Sequence, residues 1–443
     1  MKRGPQQRER KNLSAAGLLK LVKKSFSFIQ PEKLNKLGKT KKIKIVDSLM
    51  SALAMFSLKS PSLLAFDQGR NDPFVSNNLK NLFGIQQAPS DTHMREELDK
   101  INPAQLRESF LFIFTEAQRG KLLEEYRFLD GILLLIDGTG FFNSENISCD
   151  DCCKKNHKDG KVTYYHQALV AVIAHPSKRQ VIPLCPELIS KQDGAEKNDC
   201  ERRALQRFLA DLKKEHPRLK ITLAYDALAA NTPTINDIKS YGHHFIIAAK
   251  PDGNKALFEW IKGLELQEKS IVVGKNNYAF RYINKIPLND TKDAPEVNFL
   301  ECIATEFNGK RVTRKIFTWV TDHTITDDNV YLIMEGGRTR WKIENETFNT
   351  LKNQGYQFEH NFGHGNKHLY AVFILLMMLA FLIDQIQEVA CGLFQAALAT
   401  TISRRALWDK MRCYFQICFI DSWESLFVAI SQSIGATLSS QTP

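Results

Sequence analysis

Up to about residue 128, apolar positions recur at helical spacing. Leu18, Leu19, Leu21 and Val22 open an amphipathic segment, Ile45 to Leu58 is a second with a mostly apolar face, and Asn77 to Ile85 is a third. Gln86-Gln87-Ala88-Pro89 breaks the third, and Ser90 or Asp91 can then cap a helix from Thr92 to Ile101. Helix, short break and capped helix outline a helix-turn-helix, an outline that any two adjacent helices also give. From Leu129 the pattern changes. Gly131 to Ile136 is a continuous aliphatic run ending at Asp137, Val162 to His175 alternates and is rich in β-branched and aromatic residues, and Gln180 to Leu184 is a short strand. Glu196 to Glu215 returns to helical spacing, with Leu205, Phe208, Leu209 and Leu212 on one face. Ile221 to Tyr225 is a second aliphatic run, ending at Asp226, followed by a short helix at Pro233 to Tyr241 and a strand at Phe245 to Ala249.

Three strands, a helix, a strand, a helix and a strand is the element order of a ribonuclease-H-like core, and continuous aliphatic runs suit central strands covered on both faces. The expected fold class is therefore α/β, with a mixed-sheet catalytic core. A β-rich block interrupts it, with strands at Ser270–Val273, Tyr278–Tyr282, Asn298–Thr305 and Lys315–Thr321, before a helix from Arg338 to Asn353. The remainder reads as helical to about Ile434. The expected division is a basic disordered arm at 1–12, a helical DNA-binding region at 13–128, the core at 129–255 and 335–385, a β-rich insertion at 256–334 and a C-terminal helical region at 386–443.

Charge sharpens this picture. The 443-residue chain carries a net charge of +11, and residues 1–44 hold 14 Lys/Arg against two acids, Glu9 and Glu32, so the body is close to neutral. A basic arm on a neutral body suits a polyanionic partner. The longest apolar run, Leu369 to Ile383, is shorter than the roughly 20 residues a bilayer requires and reads as a buried core helix. No apolar stretch follows the basic N-terminus as in a secretory signal, so a cytoplasmic protein without membrane partners is expected. Nine cysteines, an odd number, argue against a disulfide framework.

Two acids share one context. Leu133-Leu134-Leu135-Ile136-Asp137 and Thr222-Leu223-Ala224-Tyr225-Asp226 each set an Asp at the end of an apolar strand. A carboxylate there sits at the lip of the sheet because it is too costly to bury unpaired. Two such carboxylates repel each other unless a divalent cation lies between them. Gly138 and Gly140 leave room beside the first. Glu344 supplies a third acid, with Arg340 one helical turn away on the same face. Glu346 is its rival, but two helical steps turn it about 160° from Glu344 and away from Arg340. Hard oxygen donors suit Mg²⁺ or Mn²⁺, and two such ions about 4 Å apart serve phosphodiester chemistry.

These residues resemble the insertion-sequence transposases of the Asp-Asp-Glu superfamily, and within them the group marked by Tyr-x2-Arg-x3-Glu-x6-Lys. Arg340-Trp341-Lys342-Ile343-Glu344 fits Arg-x3-Glu, and the separation of 118 positions from Asp226 to Glu344 leaves room for the group's β-rich insertion. Two positions depart from the signature: Gly337 stands at the Tyr, and Lys352 falls eight residues after Glu344 instead of seven. Seven steps return within about 20° of the Glu, while eight overshoot by about 80°. The resemblance covers roughly residues 130–385. It implies a DNA transposase that cuts element ends and transfers them to target DNA. Asp137, Asp226 and Glu344 would be both catalytic residues and ligands of two Mg²⁺ ions, with Arg340 and Lys352 on DNA phosphates. It further implies double-stranded DNA as partner, a homodimer on DNA and a nucleoid-associated location. A nuclease of the same fold that only hydrolyses, and a catalytically inactive DNA-binding derivative, remain open beside it.

Cys149-x2-Cys152-x4-His157 has zinc-like spacing, with His166, Cys153, Cys185 or Cys200 as a possible fourth ligand, so a structural Zn²⁺ and a surface loop of free thiols are both open. No cysteine has the activated setting of a thiol nucleophile. His360, His364 and His368, around Gly363 and Gly365, either border a DNA channel or simply connect helices.

Overall fold

The computed structural model describes residues 11–32, 43–190, 197–308 and 311–432. Residues 1–10 of the arm expected to be disordered at 1–12 and the tail after 432 lie outside them, whereas the arm's last two residues open a short 3-10 helix, Lys11–Leu13. The chain forms two compact units, one of residues 1–122, 146–149 and 349–443, the other of residues 123–145 and 150–348.

The first unit is helical. Its centre is the helix Leu369–Ala390, which packs on Ile45–Ser57. At 22 residues it is long and apolar enough to cross a bilayer, yet its whole apolar stretch is buried in the unit. The helix runs past the end of the apolar run at Ile383 because Asp384 and Gln385 find buried surroundings of their own. Asp384 accepts from Lys59 Nζ at 2.6 Å and from the Tyr356 hydroxyl at 2.5 Å. The Lys59 ammonium also lies 4.2 Å from the ring centres of Tyr356 and Trp408. The start of the same helix is held by Asp99, whose carboxylate accepts from the backbone N–H of Asn366, Lys367, His368 and Leu369 at 2.9–3.0 Å. Burial would raise this carboxyl, but the four donors hold it below its usual range. The histidine-containing loop is thus a tied helix connector, with His364 buried and stacked on Tyr370. The two helices of the helix-turn-helix outline are Pro73–Phe83, closed by Gly84 in the left-handed region, and Asp91–Leu98, capped by Ser90.

The second unit is built on one mixed sheet. Its strands are β1 (Arg127–Phe128), β2 (Gly131–Ser144), β3 (Cys153–Asn156), β4 (Val162–Ala174), β5 (Ile182–Pro183), β6 (Glu187–Ile189), β7 (Ile221–Tyr225), β8 (His244–Ala248), β9 (Gln267–Val273), β10 (Asn276–Pro287), β11 (Glu296–Asn308) and β12 (Arg311–Thr321). They lie in the order β3-β4-β2-β7-β8-β12-β11-β10-β9, with β5 and β6 on β4 and β1 on β2. β4 runs antiparallel to β2, whereas β7 and β8 run parallel to it and to each other. The aliphatic runs lie where the pattern requires, since Leu133 to Ile136 of β2 and all of β7 are buried.

The β-rich stretch does not fold apart from this sheet. β12 pairs antiparallel with β8, through Trp319↔Ala248, Val320↔Ile247 and Thr321↔Ile246, and so continues the same sheet. Inward Tyr278, Phe280 and Tyr282 of β10 alternate with more exposed Ala279 and Arg281.

The helix expected from Arg338 to Asn353 is subdivided. Val330–Thr339 is α-helical, Ile343–Phe348 is π-helical, and Asn349–Asn353 resumes the α form and belongs to the first unit. Gly336 and Gly337 seat the first segment against the sheet. A Cβ on Gly337 would lie 2.3 Å from Trp319 Nε1, and one on Gly336 would lie 2.4 Å from Phe128 Cζ. The space a Tyr would need at 337 is taken by the Trp319 indole.

Candidate active site

β2 does not stop at Asp137. It continues to Ser144, because antiparallel β4 goes on supplying partners from Gly138↔Leu169 to Ser144↔Tyr164. What ends there is the parallel partner: β2 and β7 pair from Ile132↔Ile221 to Leu135↔Ala224. Continued by two residues, that register sets Asp137 opposite Asp226, the residue that follows β7. Asp226 then turns the chain by accepting from Leu228 N at 3.1 Å. Two acids thus meet where one strand leaves the sheet and its neighbour runs on.

Glu344 reaches the same place through Arg340. The guanidinium lies 3.2 Å from Glu344 Oε1 and 3.8 Å from Asp137 Oδ2. Arg340 falls at the turn between the α and π segments, and Glu344 is the second residue of the π segment. A π turn inside a helix re-aims side chains and recurs at functional sites. Glu346 is drawn to Arg179 at 3.1 Å, which leaves Glu344 as the acid on Arg340. Lys342 is spent on the carbonyls of His175, Pro176 and Lys178, fixing this segment to the end of β4.

Burial pushes the Asp137 carboxyl up to about 6; Arg340 opposes the shift, and the charges of Asp226 and Glu344 add to it. The Tyr225 phenol is raised well above its usual range by burial and then by Glu201, Asp226 and Asp137. Three acids therefore act on one buried phenol, which stays a neutral donor.

Glu201 is an acid the sequence reading missed. It lies on the helix Lys197–Glu215 and lines a cleft with Tyr225, Asp226, Asn231 and Thr234. Its carboxylate takes the space beside Gly138, where a Cβ would come within 2.6 Å of Glu201 Oε1. The signal was present: Glu201 continues the apolar stripe of Leu205, Phe208, Leu209 and Leu212 at helical spacing, so it sits on the face turned inward. A charge on that face calls for a partner.

Oxygen donors at one sheet edge, with Asp137 raised first by burial and further by the charges of Asp226 and Glu344, suit a hard divalent ion. Asp137, Asp226 and Glu344, whose charges act on one another, are its candidate ligands, while Glu201 acts on Tyr225. Trp341 beside them is 54% exposed, and its ring lies 5.0 Å from the Arg340 guanidinium.

The other expected residues fall elsewhere. Lys352 belongs to the helical unit, where its ammonium pairs with Glu359 at 2.8 Å. His157 is not the imidazole beside Cys152: its Nε2 bonds the exposed Thr163 hydroxyl at 2.8 Å across the turn between β3 and β4. Cys152 Sγ instead lies 3.3 Å from His166 Nε2, both side chains buried. The strand pairing explains the exchange, because Cys153 is opposite Tyr165 and His166 follows directly. Cys149 lies in the short segment that belongs to the helical unit. Cys152 and His166 offer a thiolate and an imidazole of the kind that bind zinc. A further group able to hold a metal ion, His244, Asp322 and His323, lies at the opposite end of the parallel strands.

No family model matches the chain, and no curated protein matches it.

Proposed function

We propose that this chain is a DNA transposase with a ribonuclease-H-like catalytic core, in which Asp137, Asp226 and Glu344 are the catalytic carboxylates. The observation that carries the reading is the approach of two distant acids, Asp226 and Glu344, to Asp137, with Arg340 set between Asp137 and Glu344. Continued past its last pair, the register of β2 and β7 sets Asp226, the residue after β7, level with Asp137, and Arg340 spans Asp137 and Glu344 at 3.8 and 3.2 Å. The strand order supports the fold: β5 and β6, then β4, β2, β7 and β8, with β2, β5 and β6 antiparallel to β4 ahead of two parallel strands and a helix before each of the latter.

Each residue then has a task. Asp137 and Asp226 hold divalent ions at the sheet edge, and Glu344 completes the set from the helix. When bound, Mg²⁺ or Mn²⁺ ions supply activation of a water or 3′-hydroxyl and stabilisation of the leaving oxygen. Arg340 keeps Glu344 aimed at Asp137 and offers its remaining donors to a DNA phosphate, whose geometry its planar fork matches. Glu201 adds negative charge beside Gly138 and strengthens retention of the ions. Tyr225 stays protonated and can donate to an oxygen at this edge. Double-stranded DNA is the partner, held as paired ends by two copies of the chain.

The test is an assay on DNA carrying the element's end sequences, scoring both nicked and joined products. Wild type with Mg²⁺ should give both, and Asp137→Asn, Asp226→Asn and Glu344→Gln should give neither while still binding DNA. Nicks without joined products would replace this reading by a hydrolytic nuclease. A wild type as inert as the variants, with binding intact, would leave a DNA-binding protein.

A further inference from the structure

We infer that His244, Asp322 and His323 form a site for a divalent transition-metal ion, of the Zn²⁺ class, that clamps the seam between the first strands of the sheet and its β-rich extension. The inference is independent of the transposase reading, since none of these residues belongs to the carboxylate edge. Thr222 and His244 are partners near the start of the parallel strands, whereas Asp226 follows the end of β7, four residues on. At about 3.3 Å per residue the two places are roughly 13 Å apart along the strand.

The seam is narrow. β11 and β12 pair continuously from Asn298↔Thr321 to Asn308↔Arg311, but β8 and β12 share only the three pairs from Trp319↔Ala248 to Thr321↔Ile246. Continued, this register sets Asp322 opposite Phe245 and His323 opposite His244. The backbone ladder gives way there to side chains. Asp322 Oδ1 accepts from Phe245 N at 3.0 Å, and Asp322 Oδ2 lies 2.9 Å from His244 Nδ1. The rings of His244 and His323 lie with centres 4.5 Å apart and planes tilted by 31°. One donor atom from each of the three residues lies within 4.8 Å of the others.

Two imidazoles and a carboxylate are a transition-metal donor set, unlike the all-oxygen set at the other edge. Two ligands about 2.1 Å from one tetrahedral ion lie about 3.4 Å apart, so the 2.9 Å between His244 Nδ1 and Asp322 Oδ2 has to open by only about 0.5 Å for an ion to replace the shared proton. The donors are held from behind: His323 Nε2 is 2.9 Å from the hydroxyl of fully buried Thr222, which orients the ring. His244 is 38% exposed in its side chain, which gives the ion a way in and water a place to complete its coordination.

The experiment uses the full chain carrying Cys152→Ser, which removes the other candidate thiolate–imidazole site. Zn²⁺ retained after dialysis is counted, Zn²⁺ affinity is measured by competition with a chelating dye, and hydrogen exchange is followed at Phe245–Ala249 and Trp319–Thr321. His244→Gln, at a half-exposed position, should lose one equivalent of Zn²⁺ or bind it at least tenfold more weakly. His323→Gln should do the same. Zn²⁺ should slow exchange at the seam in the parent and leave it unchanged in both variants. Equal retention and affinity in parent and variants, or Zn²⁺ binding that leaves seam exchange unaltered, would overturn the proposal and reduce the cluster to a hydrogen-bonded cross-strand pair.

Discussion

Replacing Gly337 by alanine should destabilise the protein, although the same change in an open helix stabilises. Relief of the glycine penalty inside a helix is worth about 1 kcal/mol. Against it, the new Cβ would stand 2.3 Å from Nε1 and 2.5 Å from Cε2 of Trp319, well inside van der Waals contact. Trp319 is 4% exposed, lies in β12 and stacks on Phe317, so its indole cannot swing clear. Overpacking of this kind costs about 1–3 kcal/mol, and a clash with a fixed ring belongs at the upper end. The net expectation is a loss of about 2 kcal/mol. The control is Gly69→Ala, where no atom lies within 4 Å and the change should be neutral or stabilising. Urea denaturation of both variants gives the sign, through a fall in midpoint at constant slope for Gly337→Ala. The clash also displaces the helix that carries Arg340 and Glu344 relative to β2, and an error of about 1 Å at reacting groups can cost 100-fold in rate. A Gly337→Ala protein as stable as Gly69→Ala or more so would refute the packing argument.

Three further outcomes follow from the same geometry. Lys59→Met alone should cost about 3–5 kcal/mol, because it strands Asp384 in the core, while Lys59→Met with Asp384→Leu should recover most of that loss; equal cost in single and double variants would deny the coupling. Asp99→Ala should destabilise by about 1–2 kcal/mol at neutral pH through loss of the helix cap. Because the folded carboxyl is held below its unfolded value, that contribution is full above the unfolded pKa and fades as pH falls through the folded one, so wild type and variant should converge below about pH 4, and a constant gap would contradict it. With a thiol reagent at pH 8, exposed Cys413 should react promptly, while Cys302, buried and pushed up to about 12, should react only on unfolding; simultaneous labelling would count against the packing around β11.

Much of this arrangement is legible in the residues themselves. Continuous aliphatic runs locate β2 and β7, and the acids that follow them meet because parallel strands with a common start bring Asp137 and Asp226 level. Helical spacing also separates Glu344 from Glu346, which the structure sends to Arg340 and Arg179 respectively. What was not legible depends on partners remote in sequence. β2 outlasts its aliphatic run because β4 is long enough to pair with it, and no local pattern in Gly138 to Ser144 reveals that. The π segment at Ile343–Phe348 breaks the uniform 100° step on which the placing of Lys352 relied. His166 displaces His157 beside Cys152 because strand pairing, not spacing along the chain, selects the neighbour. The β-rich stretch reads as an insertion, yet three ladder pairs at β12 make it part of one sheet. Lys59 gives no sign of burial, since a lone lysine after an apolar helix reads as solvated until Asp384, more than 300 residues away, is placed beside it.

The central claim, that Asp137, Asp226 and Glu344 share divalent ions at one edge of the sheet, is tested most directly by anomalous diffraction from crystals soaked in Mn²⁺. The expected result is a peak bonded to carboxylate oxygens of both aspartates, with Glu344 on it or on a second peak about 4 Å away. Manganese found only at other places, with these three carboxylates unligated at saturating ion, would contradict the account.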